Sequence, residues 1–160
     1  AAGTTIKING EDAGISITPK TFAKVERQWK KGDVVSMDIP MDISFVEGDP
    51  RIEETRNQVA VKRGPIVYCI ESPDLPENTS ILDVYISQGT KLTPNHKPDF
   101  LGGVTMIDAD IMLRTQNEEG MYRKLEAPSW KKVKSSFVPY YAWSNRGEAE
   151  MTVFMPIVWE

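Results

Sequence analysis

Cysteine and histidine are nearly missing from this chain: it has one of each, Cys69 and His96, in 160 residues. A lone thiol excludes an internal disulfide, and a zinc site, which needs several converging Cys, His or carboxylate ligands, is short of donors. Long apolar runs are missing too. None approaches the roughly 18–20 residues that cross a bilayer as a helix, and Ala1-Ala2-Gly3-Thr4 has neither the charged nor the apolar region of a secretory leader. Nor is there a positive excess: 19 basic against 23 acidic side chains give a net charge of −4, so no overall field attracts phosphate backbones or anionic lipid. Nucleic acid and membrane are therefore not expected as partners. Gly-rich phosphate loops, a serine-nucleophile elbow, internal repeats and low-complexity tracts are likewise absent.

What remains is a series of short strand-like pieces separated by turn chemistry. In the first half they cover residues 5–8, 14–18, 22–28, 34–38 and 41–46, with a pair at 59–71 joined at Gly64-Pro65. The intervening signals are Asn9-Gly10, Lys31-Gly32-Asp33 and Gly48-Asp49-Pro50. Lys24, Glu26 and Gln28 fall on one face of the 22–28 piece, which should meet water. The stretch 73–80 holds Pro73 and Pro76 and no periodicity, and reads as a linker between a first half, 1–72, and a second half, 81–160.

The second half offers strands at 81–86, 103–113, 137–143 and 151–155, a Pro-rich loop at 94–98, and a charged loop at 116–134. Asn145-Arg146-Gly147 reads as a hairpin turn between the last two strands. No 3.6-residue periodicity of useful length occurs, so helix should be scarce. Many short strands with connections too short for crossovers predict an all-β fold, an antiparallel β-sandwich of the jelly-roll kind with little helix. At 40% apolar content the chain can bury a sizeable core.

Candidates for chemistry are few. Glycosidic cleavage needs two carboxylates about 5–10 Å apart, for which Glu53 with Glu54 and Asp108 with Asp110 are the available pairs. In an acidic protein both pairs are explained as solvated surface. Cys69 lies inside an apolar strand, where a thiol acts as a small inert hydrophobe, and His96 sits in the Pro-rich loop. Leu101-Gly102-Gly103-Val104 is a turn opening a strand. Asn78-Thr79-Ser80 matches a glycosylation pattern that recurs by chance. The aromatics remain: a strand at Tyr140-Tyr141-Ala142-Trp143 would put Tyr141 and Trp143 on one face, as core, domain contact or sugar platform. Trp130, beside Lys131, Lys132 and Lys134, is a third candidate contact.

Two distant segments carry a family resemblance. The first is VAVKRGPIVYCIE at 59–71, preceded by Trp29-Lys30-Lys31-Gly32-Asp33 and Ile39-Pro40-Met41. The second is VPYYAWSNRGEAEMTVFMP at 138–156, with Leu101-Gly102-Gly103-Val104 between them. Together they resemble the C-terminal β-sandwich region of glycoside hydrolase family 127, the β-L-arabinofuranosidase family. The resemblance implies a preceding catalytic (α/α)6 barrel in the same parent chain, with a zinc held by a glutamate and three cysteines, one of them the nucleophile. With only Cys69, no catalytic or metal residue carries over. The expectation is a fragment without activity or cofactor of its own, excised from a hydrolase, that supports the barrel. The alternative is a carbohydrate-binding module whose exposed aromatics hold a glycan. Compartment stays open, with the periplasm or exterior of a bacterium as the exported option.

Overall fold

The computed structural model describes residues 3–115, 121, 122 and 124–159. They form twelve strands: β1 Thr5–Ile8, β2 Glu11–Asp12, β3 Val35–Asp38, β4 Ile43–Glu47, β5 Gln58–Arg63, β6 Ile66–Glu71, β7 Val84–Ser87, β8 Thr93–Lys97, β9 Val104–Thr115, β10 Ser129–Pro139, β11 Met151–Thr152 and β12 Phe154–Val158. Helix is confined, among the described residues, to single 3-10 turns, as the missing 3.6 periodicity requires. Among the described residues no helix is long and apolar enough to cross a membrane. The chain divides into two compact units, 1–42 and 43–160. The stretch expected as a linker, 73–80, lies inside the second.

In the first unit β1 sits between β2 and β3, both antiparallel to it. Asn9 and Gly10, at φ 53° and 87°, make the two-residue turn from β1 to β2 in the left-handed backbone region that Asn and Gly tolerate best. The Asn9 amide also grips the distant Asp33 carboxylate at 2.9 Å and accepts from the Val34 N–H at 2.9 Å. That bond from Asn9, then one from the Lys30 backbone, holds the Asp33 carboxyl below its usual range. The strands expected at 14–18 and 22–28 do not form. A strand needs a ladder partner, and this alternation of Lys24 and Glu26 with Ala23 and Val25 finds none among the described residues. Phe22 is fully exposed, and among the described residues of this unit only Ile6 and Ile8 are buried.

The second unit is a barrel. Following hydrogen-bonded neighbours leads from β5 to β6, β10, β9, β7, β12 and back to β5, a closed ring of six strands. β4 extends the ring from β5, β8 from β9 and β11 from β6. The fold is all-β, as expected, but the closed ring replaces the jelly-roll sandwich. The ring is completed by β12, which bonds β5 on one side and β7 on the other. One pair is also parallel, β12 with β7, against the expectation of antiparallel pairing throughout. The short-connection argument governs consecutive strands, whereas β7 and β12 meet only after the chain has built β8 to β11. The barrel lumen is filled by Val59, Val61, Tyr68, Ile70, Val84, Ile86, Ile107, Ile111, Phe137 and Met155, all buried.

Three further boundaries move. The Pro-rich loop at 94–98 is mostly strand β8, laid on the edge of β9 where Pro94 loses no ladder bond that matters. Residues 129–134 of the expected charged loop belong to β10, paired with β9 from Ser129 to Phe137; positions 116–120 and 123 lie outside the described residues. The last β10 residue is Pro139, and the chain turns there into a 3-10 turn at Tyr140–Ala142 rather than continuing to Trp143.

Candidate functional site

Strand alternation on β6 sends Tyr68 and Ile70 into the lumen and Cys69 and Glu71 out of it. Cys69 enters a satellite cluster with Val104, Met106, Val138 and Ala142. Glu71 is fully buried yet ionisable, so its surroundings must satisfy it. They do. The Ser144 backbone N–H donates to one carboxylate oxygen at 2.8 Å, and the Arg146 guanidinium donates to the other. Arg146 also grips Asp74 with both terminal nitrogens, one at 2.8 Å, and lies 5.5 Å from the centre of the Phe100 ring. Hydrogen bonds donated to Asp74 first, then to Glu71, hold the guanidinium protonated more firmly than usual. Among buried side-chain nitrogens and oxygens of the described residues, only Arg146 Nε lacks a partner. Asn145-Arg146-Gly147 is therefore no simple hairpin turn. It is a clamp that pins the segment after β10 to the end of β6.

The clamp fixes an aromatic turn immediately before it. Tyr140, Tyr141 and Trp143 are 44%, 66% and 37% exposed. In a 3-10 turn, side chains do not alternate, so the expected pairing of Tyr141 with Trp143 on one strand face is replaced by a stack of Tyr140 on Trp143, with ring centres 6.4 Å apart and 25° between planes. Tyr141 projects alone. Trp130 is not part of this patch. It stands near the opposite end of β10, about 30 Å away at strand rise, half-buried, edge-on to Tyr85 at 4.9 Å.

The acids singled out from the sequence are engaged elsewhere. Both Asp108 oxygens are taken, by Asn95 at 2.7 Å and Ser136 at 2.6 Å, and Asp110 faces Lys132 at 3.3 Å. Glu53 and Glu54 lie in a 3-10 turn before β5. His96 is exposed on β8, its Nδ1 3.3 Å from the Thr105 hydroxyl. Cys69 is fully buried, and burial first, then the charges of Glu71 and Asp74, push its thiol up to about 12. A thiol so held is neither a nucleophile nor a ready zinc ligand. Among the described residues no three His, Cys, Asp or Glu side chains converge on a common point. A Cys3Glu zinc centre needs three cysteines, and this chain has one.

Sequence reasoning missed Glu71, Asp74 and Arg146 as a unit. Their separations of 72 and 75 residues leave no local signal.

The model of the glycoside hydrolase family 127 C-terminal domain matches residues 43–156, and that of the beta-L-arabinofuranosidase GH127 middle domain matches residues 1–41. A non-reducing end beta-L-arabinofuranosidase of Bifidobacterium longum is 32% identical over 126 residues, spanning 75% of this chain and 19% of that protein. Among solved structures, a glycoside hydrolase superposes with a TM-score of 0.83 at 37% identity, over 97% of this chain and 26% of the other. A GH127 beta-L-arabinofuranosidase of Geobacillus stearothermophilus gives 0.77 at 32% identity, over 98% and 25%. The chain thus spans about a fifth to a quarter of the relatives it matches. The boundary between the two family models coincides with the boundary between the two folded units, and the chain belongs to glycoside hydrolase family 127.

Proposed function

We propose that this chain is a non-catalytic accessory β region of a longer glycoside hydrolase, giving stability and docking surface to a catalytic (α/α)6 barrel elsewhere in the parent, where the zinc would also reside. The carrying observation is the apolar surface of the first unit. Phe22, Trp29, Val35, Met37 and Ile39 are all about half exposed or more, around a groove of 620 Å3. A three-stranded sheet with two buried side chains cannot cover these groups by itself. The larger size of the relatives supplies a source for the missing cover. The relatives' names support a parent that removes terminal β-L-arabinofuranosyl groups.

The test compares the 160-residue chain with its longer parent on an aryl β-L-arabinofuranoside. Turnover is expected from the parent alone. Zinc-dependent turnover by the 160-residue chain would sink the reading. Within the parent, Met37→Asp should lower the melting temperature more than it does in the isolated chain, because only there is Met37 covered.

A further inference from the structure

We propose that the second unit carries a glycan-binding groove lined by the apolar Val67, Met151 and Phe154, the Tyr140 ring, and the polar Glu54 and Gln58. The groove is a shallow, largely open depression of 590 Å3. It is formed where β6 and β11 meet the 3-10 turns before β5 and after β10. The Tyr140 ring stacks on Trp143, and the Arg146 clamp anchors the segment that follows, so little ordering remains when a ligand arrives.

The chemistry of the lining selects the occupant. Among the described residues the Glu54 carboxylate and the Gln58 amide have no hydrogen-bond partner, although they share the groove with apolar side chains. An acyl chain or an apolar peptide side chain laid in the groove would take water from both without replacing it. A neutral sugar ring meets both demands. Its C–H face covers the Tyr140 ring and the apolar lining, while its hydroxyls donate to Glu54 and exchange bonds with Gln58. The lining has one acid and no base, which disfavours uronates and other anionic glycans. The groove lies within the second unit, and it does not depend on the accessory reading.

The experiment is calorimetric and NMR titration of the 160-residue chain with a neutral arabino-oligosaccharide, and with a galacturonate oligomer as the anionic control. Saturable binding of the neutral oligosaccharide is expected, weakened about tenfold by Tyr140→Ala, the scale that one aromatic contact of about 1.4 kcal/mol would give. Gln58→Ala should weaken it severalfold, and Tyr140→Phe, which keeps the ring, should leave it nearly intact and guards against misfolding of the alanine variant. Trp29→Ala should change nothing. No saturable binding of neutral oligosaccharide would overturn the proposal. So would binding indifferent to both Tyr140→Ala and Gln58→Ala, or preference for the galacturonate.

Discussion

The two units solve the same problem with opposite success. Unit 43–160 closes its sheet into a ring, so every ring strand has two ladder neighbours and one side chain in two goes to a shared lumen. Unit 1–42 has three strands, two of them edges, and a long irregular segment between β2 and β3. Its apolar residues are nearly as frequent, 16 of 42 against 48 of 118, yet Val34, Val35, Met37 and Ile39 stay exposed. Apolar composition supplies material for a core, and closure decides whether that material is used.

The sharpest probes of this contrast are substitutions in the closed unit. Phe137 is fully buried in the lumen, and Phe137→Ala should cost about 3–5 kcal/mol in denaturant melts of the whole chain. Arg146→Ala should cost a similar amount, about 3–5 kcal/mol, because it leaves Glu71 charged and buried without its cation. Replacing both as Glu71→Leu with Arg146→Met should recover most of that loss, which a purely steric role for Arg146 does not predict.

Hydrogen exchange tests the same contrast without mutation. Backbone amides of β6, β9 and β10 should exchange only through global opening, and those of β1 and β3 through faster local opening. Equal protection in both units would break the comparison.

A smaller effect is expected in alkali. The Cys69 thiol is raised to about 12 in the folded chain, first by burial and then by Glu71 and Asp74. An unfolded thiol ionises near pH 8.5–9, so above that point the unfolded state has lost a proton that the folded state keeps. The stability from the neutral thiol is complete below about pH 9 and is lost progressively as pH rises toward about 12. Cys69→Ala should flatten that fall in melts compared at pH 8 and 11, beyond its constant packing cost. A disulfide-exchange reagent at pH 8 should label Cys69 only after denaturation. The smallest effect belongs to the open unit: Phe22→Ser should change stability by less than about 0.5 kcal/mol, since Phe22 covers nothing within this chain.

Much of the barrel was legible strand by strand. The pair 59–71 alternates and turns on Gly64-Pro65, and it forms as β5 and β6. The run 103–113 is β9 with nearly the same ends. Failures gathered where a strand needs a partner that the sequence does not name. Residues 14–18 and 22–28 have strand-like composition and no neighbour to bond, while Pro94 to Lys97 look like a loop and become an edge strand because β9 offers a free ladder. The aromatic candidates show the same limit. Exposure of Tyr141 and Trp143 follows from a turn that begins after Pro139, and period-two counting carried past that proline pairs the wrong rings.

The sequence by itself determined that the chain is all-β, that helix is scarce, that Cys69 is a packing residue, and that its motifs are those of one family. These follow from local terms: residue propensity, turn chemistry, side-chain alternation and the count of available donors. Ring closure, the parallel meeting of β7 with β12, and the union of Glu71, Asp74 and Arg146 were decided only by the tertiary structure. Each joins residues about 70 or more positions apart, and such pairings are chosen by the shared burial they permit, a free energy that no short window of sequence contains.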